Sequence, residues 1–256
     1  MRTVFLAWQD PERRQWYPIG RLTSSGGIYS FVYTEGAKEA QEQAAFQPLA
    51  SFPTLYTTYE SEQLFPLFTN RVLPRSRPEY QEYLEWLSVP ANEHDPVAIL
   101  ARSGGRKVTD SLEVFPRPER DPAGEYQTHF LIHGLSHMPE SSVDRASRLT
   151  AGEPLLVMRD IQNPRDPDAV ALRTSEVVER DLHIVGYVPR YLRGDFLKLI
   201  DMGSSARVVV ERVNPPPAPV QLRVLCKATM EWPAGFEPFS GPEYRPLVPE
   251  YDSALA

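Results

Sequence analysis

Residues 159 to 172 read RDIQNPRDPDAVAL, a turn far richer in reactive side chains than a connection between two strands requires. Two arginines, three aspartates, an asparagine and two prolines lie between the apolar runs Leu155–Met158 and Ala169–Leu172. A tight hairpin needs only about two or three turn residues. Asp166 and Asp168 are spaced like a carboxylate pair that could do acid–base work or ligate a hard cation. Short acids beside prolines serve turns equally well, because their side chains accept from backbone N–H groups two residues on. For Asn163 and Asp166 the structural alternative is therefore an Asx-capped turn.

Other constellations carry reactive residue types. His129, His133 and His137 recur every fourth residue. In a strand that spacing puts neighbours roughly 13 Å apart, whereas zinc ligands must lie within about 2.3 Å of one point. Only a helix would gather them, and "THFLIHGL" has β-like flanks and Gly134. We expect three structural or surface histidines and no metal. "GLSHM" at 134–138 falls one residue short of a G-x-S-x-G elbow, since Met138 replaces the final glycine. A bulky side chain there blocks the strained turn that exposes a nucleophilic serine. "RSGGRK" lacks the spacing and the Lys–Ser/Thr pair of a phosphate-binding loop; Gly104 and Gly105 read as a helix C-cap. No cofactor site and no catalytic set emerges, so the expectation is a protein that is not an enzyme.

The bulk composition narrows the partners. The chain has 256 residues and a net charge of −7, with 13 basic and 17 acidic residues up to Glu125 and 14 and 17 beyond it. Neither half is basic, so any nucleic-acid contact must be local. One cysteine, Cys226, excludes an intramolecular disulfide and fits a reducing compartment. Neither a signal-peptide core nor a run of about 20 apolar residues is present, and a cytoplasmic location is expected. Arginine outnumbers lysine 23 to 4 and there are 26 prolines, a mixture that fits a GC-rich bacterial genome.

Two regions must position these groups. In the first, strands are expected at 3–8, 16–22 and 27–33. A helix over 60–73 would carry Leu64, Leu67, Phe68 and Val72 on one face, with Leu64, Phe65, Phe68 and Val72 mostly core. A second helix begins at Ser76 or Arg77 before Pro78, with Tyr80, Tyr83, Leu84 and Leu87 as its stripe. A third begins at Asp95–Pro96 and ends at Gly104–Gly105. A Pro- and charge-rich stretch at 119–125 marks the expected linker. The second region has strand candidates at 126–135, 154–159, 168–173, 182–188, 206–213 and 220–230, with helical stretches near 141–149 and 190–201. Six short strands in this length suggest a small barrel or sandwich. The tail, 233–256, is dense in proline and aromatics and is expected to strap across the surface. The predicted fold class is thus an α+β N-terminal domain (1–118, a small sheet with helices) followed by an all-β domain (126–232).

The blocks "FLIHGL", "LTAGEPLLVMRD", "NPRDPDAVAL" and "IVGYVPRYL", in that order from Phe130 to Ile200, resemble the HIRAN domain. The resemblance implies an OB-like six-stranded barrel with short helices, and a site that captures the free 3′ end of single-stranded DNA. Asn163 and Asp166 would stand at its pocket, Asp166 accepting from the terminal 3′-hydroxyl. Arg159 and Arg190 would pair with phosphates. Arg165 stands where helicase-attached members carry an aromatic base-stacking residue, and Ser136–His137 where they carry an Arg-Tyr pair. Arginine planes and imidazole rings also stack on bases. Tyr187, in the Gly186–Tyr187 turn, completes the candidate set, with a core role as its alternative. Arg193 would join Arg159, Arg165 and Arg190 in a local positive patch.

Residues 4–105 are similar, less specifically, to the N-terminal subdomain of HipA-type toxin kinases. "VFLAW", "IGRLTSSGGIYSFVYTEGA", "PLASFP" and "DPVAILARSGGR" follow that order, and the kinase core is absent. Two functions follow. The first is a non-catalytic nucleic-acid-binding protein in DNA maintenance, defence or toxin regulation. The second is an adaptor or antitoxin-like inhibitor of a HipA-type kinase, docking through residues 1–118 with the second half as scaffold.

Overall fold

The computed structural model describes residues 2–93, 95–107, 109–175 and 182–248. The chain divides into two compact units, each assembled from separate stretches. Unit 1 takes residues 1–77, 93–117 and 239–256, and unit 2 takes 78–92 and 118–238. Where the sequence suggests one linker at 119–125, the chain therefore passes between units near 77, 92, 117 and 238.

Unit 1 is built on a five-stranded antiparallel sheet in the order β4-β3-β2-β1-β5. Its strands are β1 (Arg2–Gln9), β2 (Trp16–Ser25), β3 (Ile28–Tyr33), β4 (Tyr59–Ser61) and β5 (Leu112–Pro116). Helix α1 (Glu35–Ala44) follows β3 and was not foreseen; its buried positions are only Gly36, Ala37 and Ala40. Small residues cover a helix face without giving the strong apolar period on which such readings depend. The helix expected over 60–73 is a correction. Tyr59–Ser61 pairs with β3, and only α2 (Pro66–Thr69) is helical. Pro66 lacks the N–H and clashes with a preceding turn, so a helix can begin there but cannot run through it.

Phe68 is fully buried in the core with Phe31 and Phe52, while Leu64, Phe65, Leu67 and Val72 pack partly buried against it. The Phe31 and Phe52 rings stack at 4.0 Å between centroids. Helix α4 (Pro96–Ser103) begins as expected, with the Asp95 carboxylate accepting from the Val97 N–H at 2.9 Å. It ends at Gly104, whose φ of 72° suits glycine. The described tail divides between the units: residues 233–238 belong to unit 2, whereas from Phe239 on it joins this unit, where Pro246 bridges Thr34, and Phe239 and Tyr244 pack edge-on against Phe5. Residues 249–256 of the expected tail lie outside the described residues.

Unit 2 is a single antiparallel sheet in the order β10-β9-β8-β11-β12-β7-β6. The strands are β6 (Glu119–Arg120), β7 (Tyr126–Leu131), β8 (Pro154–Arg159), β9 (Val170–Thr174), β10 (Ile184–Tyr187), β11 (Arg207–Val213) and β12 (Val224–Met230). Here too the expectation needs correcting. Seven strands form the sheet, not six, the extra one being the two-residue β6 inside the expected linker. Among the described residues the sheet does not close into a laddered barrel; one isolated bridge, His133 to Tyr187, links the end of the β7 segment to β10.

Three helices complete the unit. Helix α3 (Tyr80–Trp86) starts two residues beyond Pro78, with Glu79 at its N-cap, and the Trp86 carbonyl accepts from Asn214 at 2.9 Å. Helix α5 is Glu140–Ser147 and α6 is Arg190–Asp201. Helix α6 buries Leu192, Phe196 and Leu199, and Phe196 meets Tyr126 and Phe130 edge to face. Cys226 is buried in β12, and its surroundings push the thiol far above its ordinary value. It is a core residue, not a reactive one.

Candidate nucleic-acid interface

Strands β8 and β9 run antiparallel, from Leu155 opposite Thr174 to Arg159 opposite Val170, and this register fixes where the 160–169 loop leaves the sheet. Within the loop, side chains replace the ladder as backbone partners. The Asn163 carboxamide oxygen accepts from the Arg165 N–H at 3.1 Å, and Asp166 accepts from the Asp168 N–H at 3.2 Å. These are the two Asx turns that the Asn-Pro and Asp-Pro pairs suggest. They leave both side chains with capacity for longer-range bonds.

That capacity is used. The Asp166 Oδ2 accepts from Arg190 Nε at 2.9 Å, and Oδ1 accepts from Arg193 Nη1. Arg190 also donates from Nη2 to the Arg165 carbonyl at 2.9 Å. The carboxylate side chain is 9% exposed, while the Arg190 and Arg193 side chains are 32% and 33% exposed. One buried anion therefore fixes two cations at the surface. Charge-assisted bonds of this type are short and strong, and guanidinium planarity makes them directional.

A second node forms beside the first. Tyr187 donates its hydroxyl to Asp160 Oδ2 at 2.9 Å, and Asn163 donates Nδ2 to the same oxygen at 3.2 Å. Partial burial, then the bond to Asp160 and its charge, raise the Tyr187 phenol above its ordinary value. The Tyr187 backbone exchanges both bonds with His133, at 2.9 and 3.0 Å. A Cβ on Gly134 would stand 3.1 Å from the Tyr187 ring, and Gly134 has φ +78°. Glycine is therefore needed there both for the turn and for the close approach. The turn ends β7 at Leu131, short of the expected 135, and opens a 3₁₀ turn at Leu135–His137 on which Ser136 and His137 are exposed.

Of the eight predicted site residues, these bonds join Asn163, Arg165, Asp166, Tyr187 and Arg190, while Ser136 and His137 stand on the 3₁₀ turn that follows Gly134. Arg159 stands apart. It is exposed and ion-paired with Asp201, at the far end of α6 from Arg190 and roughly 16 Å along the helix. Asp160 was given no role from sequence, although it holds both Tyr187 and Asn163. No local pattern marks it, because its partners Tyr187 and Asn163 lie 27 and 3 residues away and only the fold brings the three together. Among the described residues no group of three or more His, Cys, Asp or Glu is placed to hold a metal.

A family model for the HIRAN domain matches residues 126–232, and this segment of the chain is a HIRAN domain. The match covers nothing of residues 1–125. No curated protein matches the chain. Among solved structures it is similar to a protein from Lactobacillus plantarum at 18% identity, over 43% of this chain and 100% of that one, with a TM-score of 0.33. It is also similar to the HIRAN domain of human HLTF at 17% identity, over 41% of this chain and 74% of that one, with a TM-score of 0.30. No helix among the described residues is long and apolar enough to cross a membrane.

Proposed function

We propose that this is a non-catalytic DNA-binding protein whose HIRAN segment holds single-stranded DNA at an end, across the 160–169 loop and the start of α6. The observation that carries this reading is the pair of guanidiniums, each about one-third exposed, fixed on the buried Asp166 carboxylate. A solvated arginine must lose side-chain freedom when it meets a phosphate; one already fixed by a carboxylate has lost it in folding. The overall charge of −7 leaves such a local cluster as the place for phosphate contact. His137 and Arg165, both exposed, offer planar groups for stacking bases, and Ser136, next to His137 in the chain, a hydroxyl donor.

Fluorescence anisotropy with single-stranded oligonucleotides at several salt concentrations tests the reading. Binding should weaken as salt rises, and Arg190→Ala should reduce both the affinity and the steepness of that dependence. Absence of binding at low salt to every oligonucleotide would overturn it.

A further inference from the structure

One face of the unit 1 sheet packs on the core, and the C-terminal segment of the chain sits on the other. In β1 and β5 the core takes Val4, Leu6, Leu112 and Val114. Alternation turns Phe5 and Phe115, opposite each other in the register, to the second face. Both are buried, and their rings stack at 5.7 Å. Phe239 meets the two edge-on, at 5.4 and 5.3 Å. Tyr244 meets Phe5 at 5.3 Å and stacks on Phe239 at 4.9 Å. The backbone is seated as well. The Glu35 N–H donates to the Arg245 carbonyl at 2.8 Å, and the Leu247 N–H donates to the Tyr33 carbonyl at 2.9 Å.

A very short hinge leads into this segment. Phe236 is buried in unit 2 against Tyr126, and its carbonyl accepts from Trp232 Nε1 at 2.9 Å. Phe239 is already buried in unit 1. Only Glu237 and Pro238 separate these two anchors. The proline ring fixes its own φ, which leaves the hinge little freedom. Phe239 itself sits at φ 51°, a left-handed conformation that is strained for a bulky side chain. A tethered group loses effective concentration when its linker barely spans the distance. An opened hinge lets Phe239 leave the left-handed region, and the segment then reaches the identical seat on another copy. The seat offers the same contacts either way, so hinge strain tips the balance towards exchange.

We propose that residues 239–248 exchange between copies of this chain, the segment of each copy filling the Phe5–Phe115 seat of the other in a two-fold dimer. The second copy then supplies the Phe239 and Tyr244 rings that complete the seat. This inference concerns unit 1 and its hinge, and it stands or falls independently of DNA binding.

Refolding the full chain from denaturant at a series of concentrations, followed by size-exclusion chromatography with light scattering, tests this. A species of twice the chain mass should appear and grow with concentration below about 1 mM, the level at which a short flexible tether holds its own segment. Inserting Gly-Ser-Gly-Ser between Glu237 and Pro238 should lower the dimer fraction about fivefold, because a longer hinge closes on its own seat without strain. A dimer built face to face would not respond to hinge length. A second arm uses two variants, each checked for folding by its melting transition. Phe239→Ala with Tyr244→Ala keeps the seat and weakens the segment; Phe5→Ala with Phe115→Ala keeps the segment and spoils the seat. Each refolded alone should be monomeric, and the two refolded together should form a heterodimer. If the second variant does not fold, the hinge insertion decides alone. Monomer at every concentration would overturn the proposal, and so would a dimer whose fraction the insertion leaves unchanged.

Discussion

Units 1 and 2 each fix guanidinium against aspartate, and they do so with opposite polarity. In unit 1 the cation is inside: the Arg71 side chain is 2% exposed, and its partner Asp110 is 32% exposed at 2.5 Å. Arg71 also donates to the Gly105 carbonyl at 2.9 Å, so with Asp110 it ties both ends of the α4–β5 connection to the segment after α2. In unit 2 the anion is inside and both arginines face solvent. The first arrangement leaves no cation for a ligand and staples the fold. The second keeps a charge pair together while presenting its positive half. Two residue types in contact do not by themselves distinguish support from recognition; which partner is buried does.

The two tyrosines that anchor these regions repeat the contrast. Tyr33 in unit 1 is fully buried, donating to the Phe52 carbonyl at 2.7 Å and accepting from the Leu49 N–H at 2.8 Å. Tyr187 in unit 2 is half-buried and bonds to a carboxylate at the edge of the loop.

Four substitutions would break or sharpen the comparison. Asp110→Ala strands the buried Arg71 guanidinium and also removes the acceptor of the Leu112 N–H. We expect a loss of about 3–5 kcal/mol, measured by denaturant unfolding, with DNA binding unchanged in the fraction that remains folded. Asp166→Ala should be milder, about 2 kcal/mol, because both released arginines can hydrate. It should nevertheless lower DNA affinity, since the forks lose their aim. A stability loss as large as that of Asp110→Ala would place the Asp166 cluster with the structural staples.

Tyr33→Phe removes two buried bonds from one hydroxyl and should cost about 1–2 kcal/mol. It also has a pH signature. Burial pushes the Tyr33 phenol up to about 12. The folded state therefore holds this proton more tightly than the unfolded chain, whose phenol titrates near 10. The Tyr33 contribution is full below pH about 10 and is lost as pH rises towards 12. Tyr33→Phe should flatten that alkaline decline, as chemical denaturation across this range would show; an unchanged decline would assign it to other groups. The smallest effect on stability is expected for Arg193→Gln, within about 0.5 kcal/mol, because the pair is partly solvated. Its DNA affinity should still fall, with the salt slope reduced by about one. A stability loss near that of Asp110→Ala would erase the distinction between the two units.

Much of this protein was legible along the chain. Short apolar runs located β8 and β11, and the Asp95–Pro96 start and Gly104 end located α4, because apolar runs and capping are local properties. The blocks from Phe130 to Ile200 pointed to the HIRAN segment before any geometry was known. Helix α1 stayed hidden because alanine and glycine cover its buried face, and the 60–73 stretch misled because its apolar spacing outweighed the stop imposed by Pro66. Within the loop, the local Asx turns of Asn163 and Asp166 were readable, since each spans two residues. What the sequence could not determine was the occupancy of Asp166. Its partners Arg190 and Arg193 lie 24 and 27 residues away, across β9, β10 and the turn into α6. Residue type set the charges available. Only the tertiary structure decided which of them would be buried, because burial depends on packing between segments that no local pattern connects.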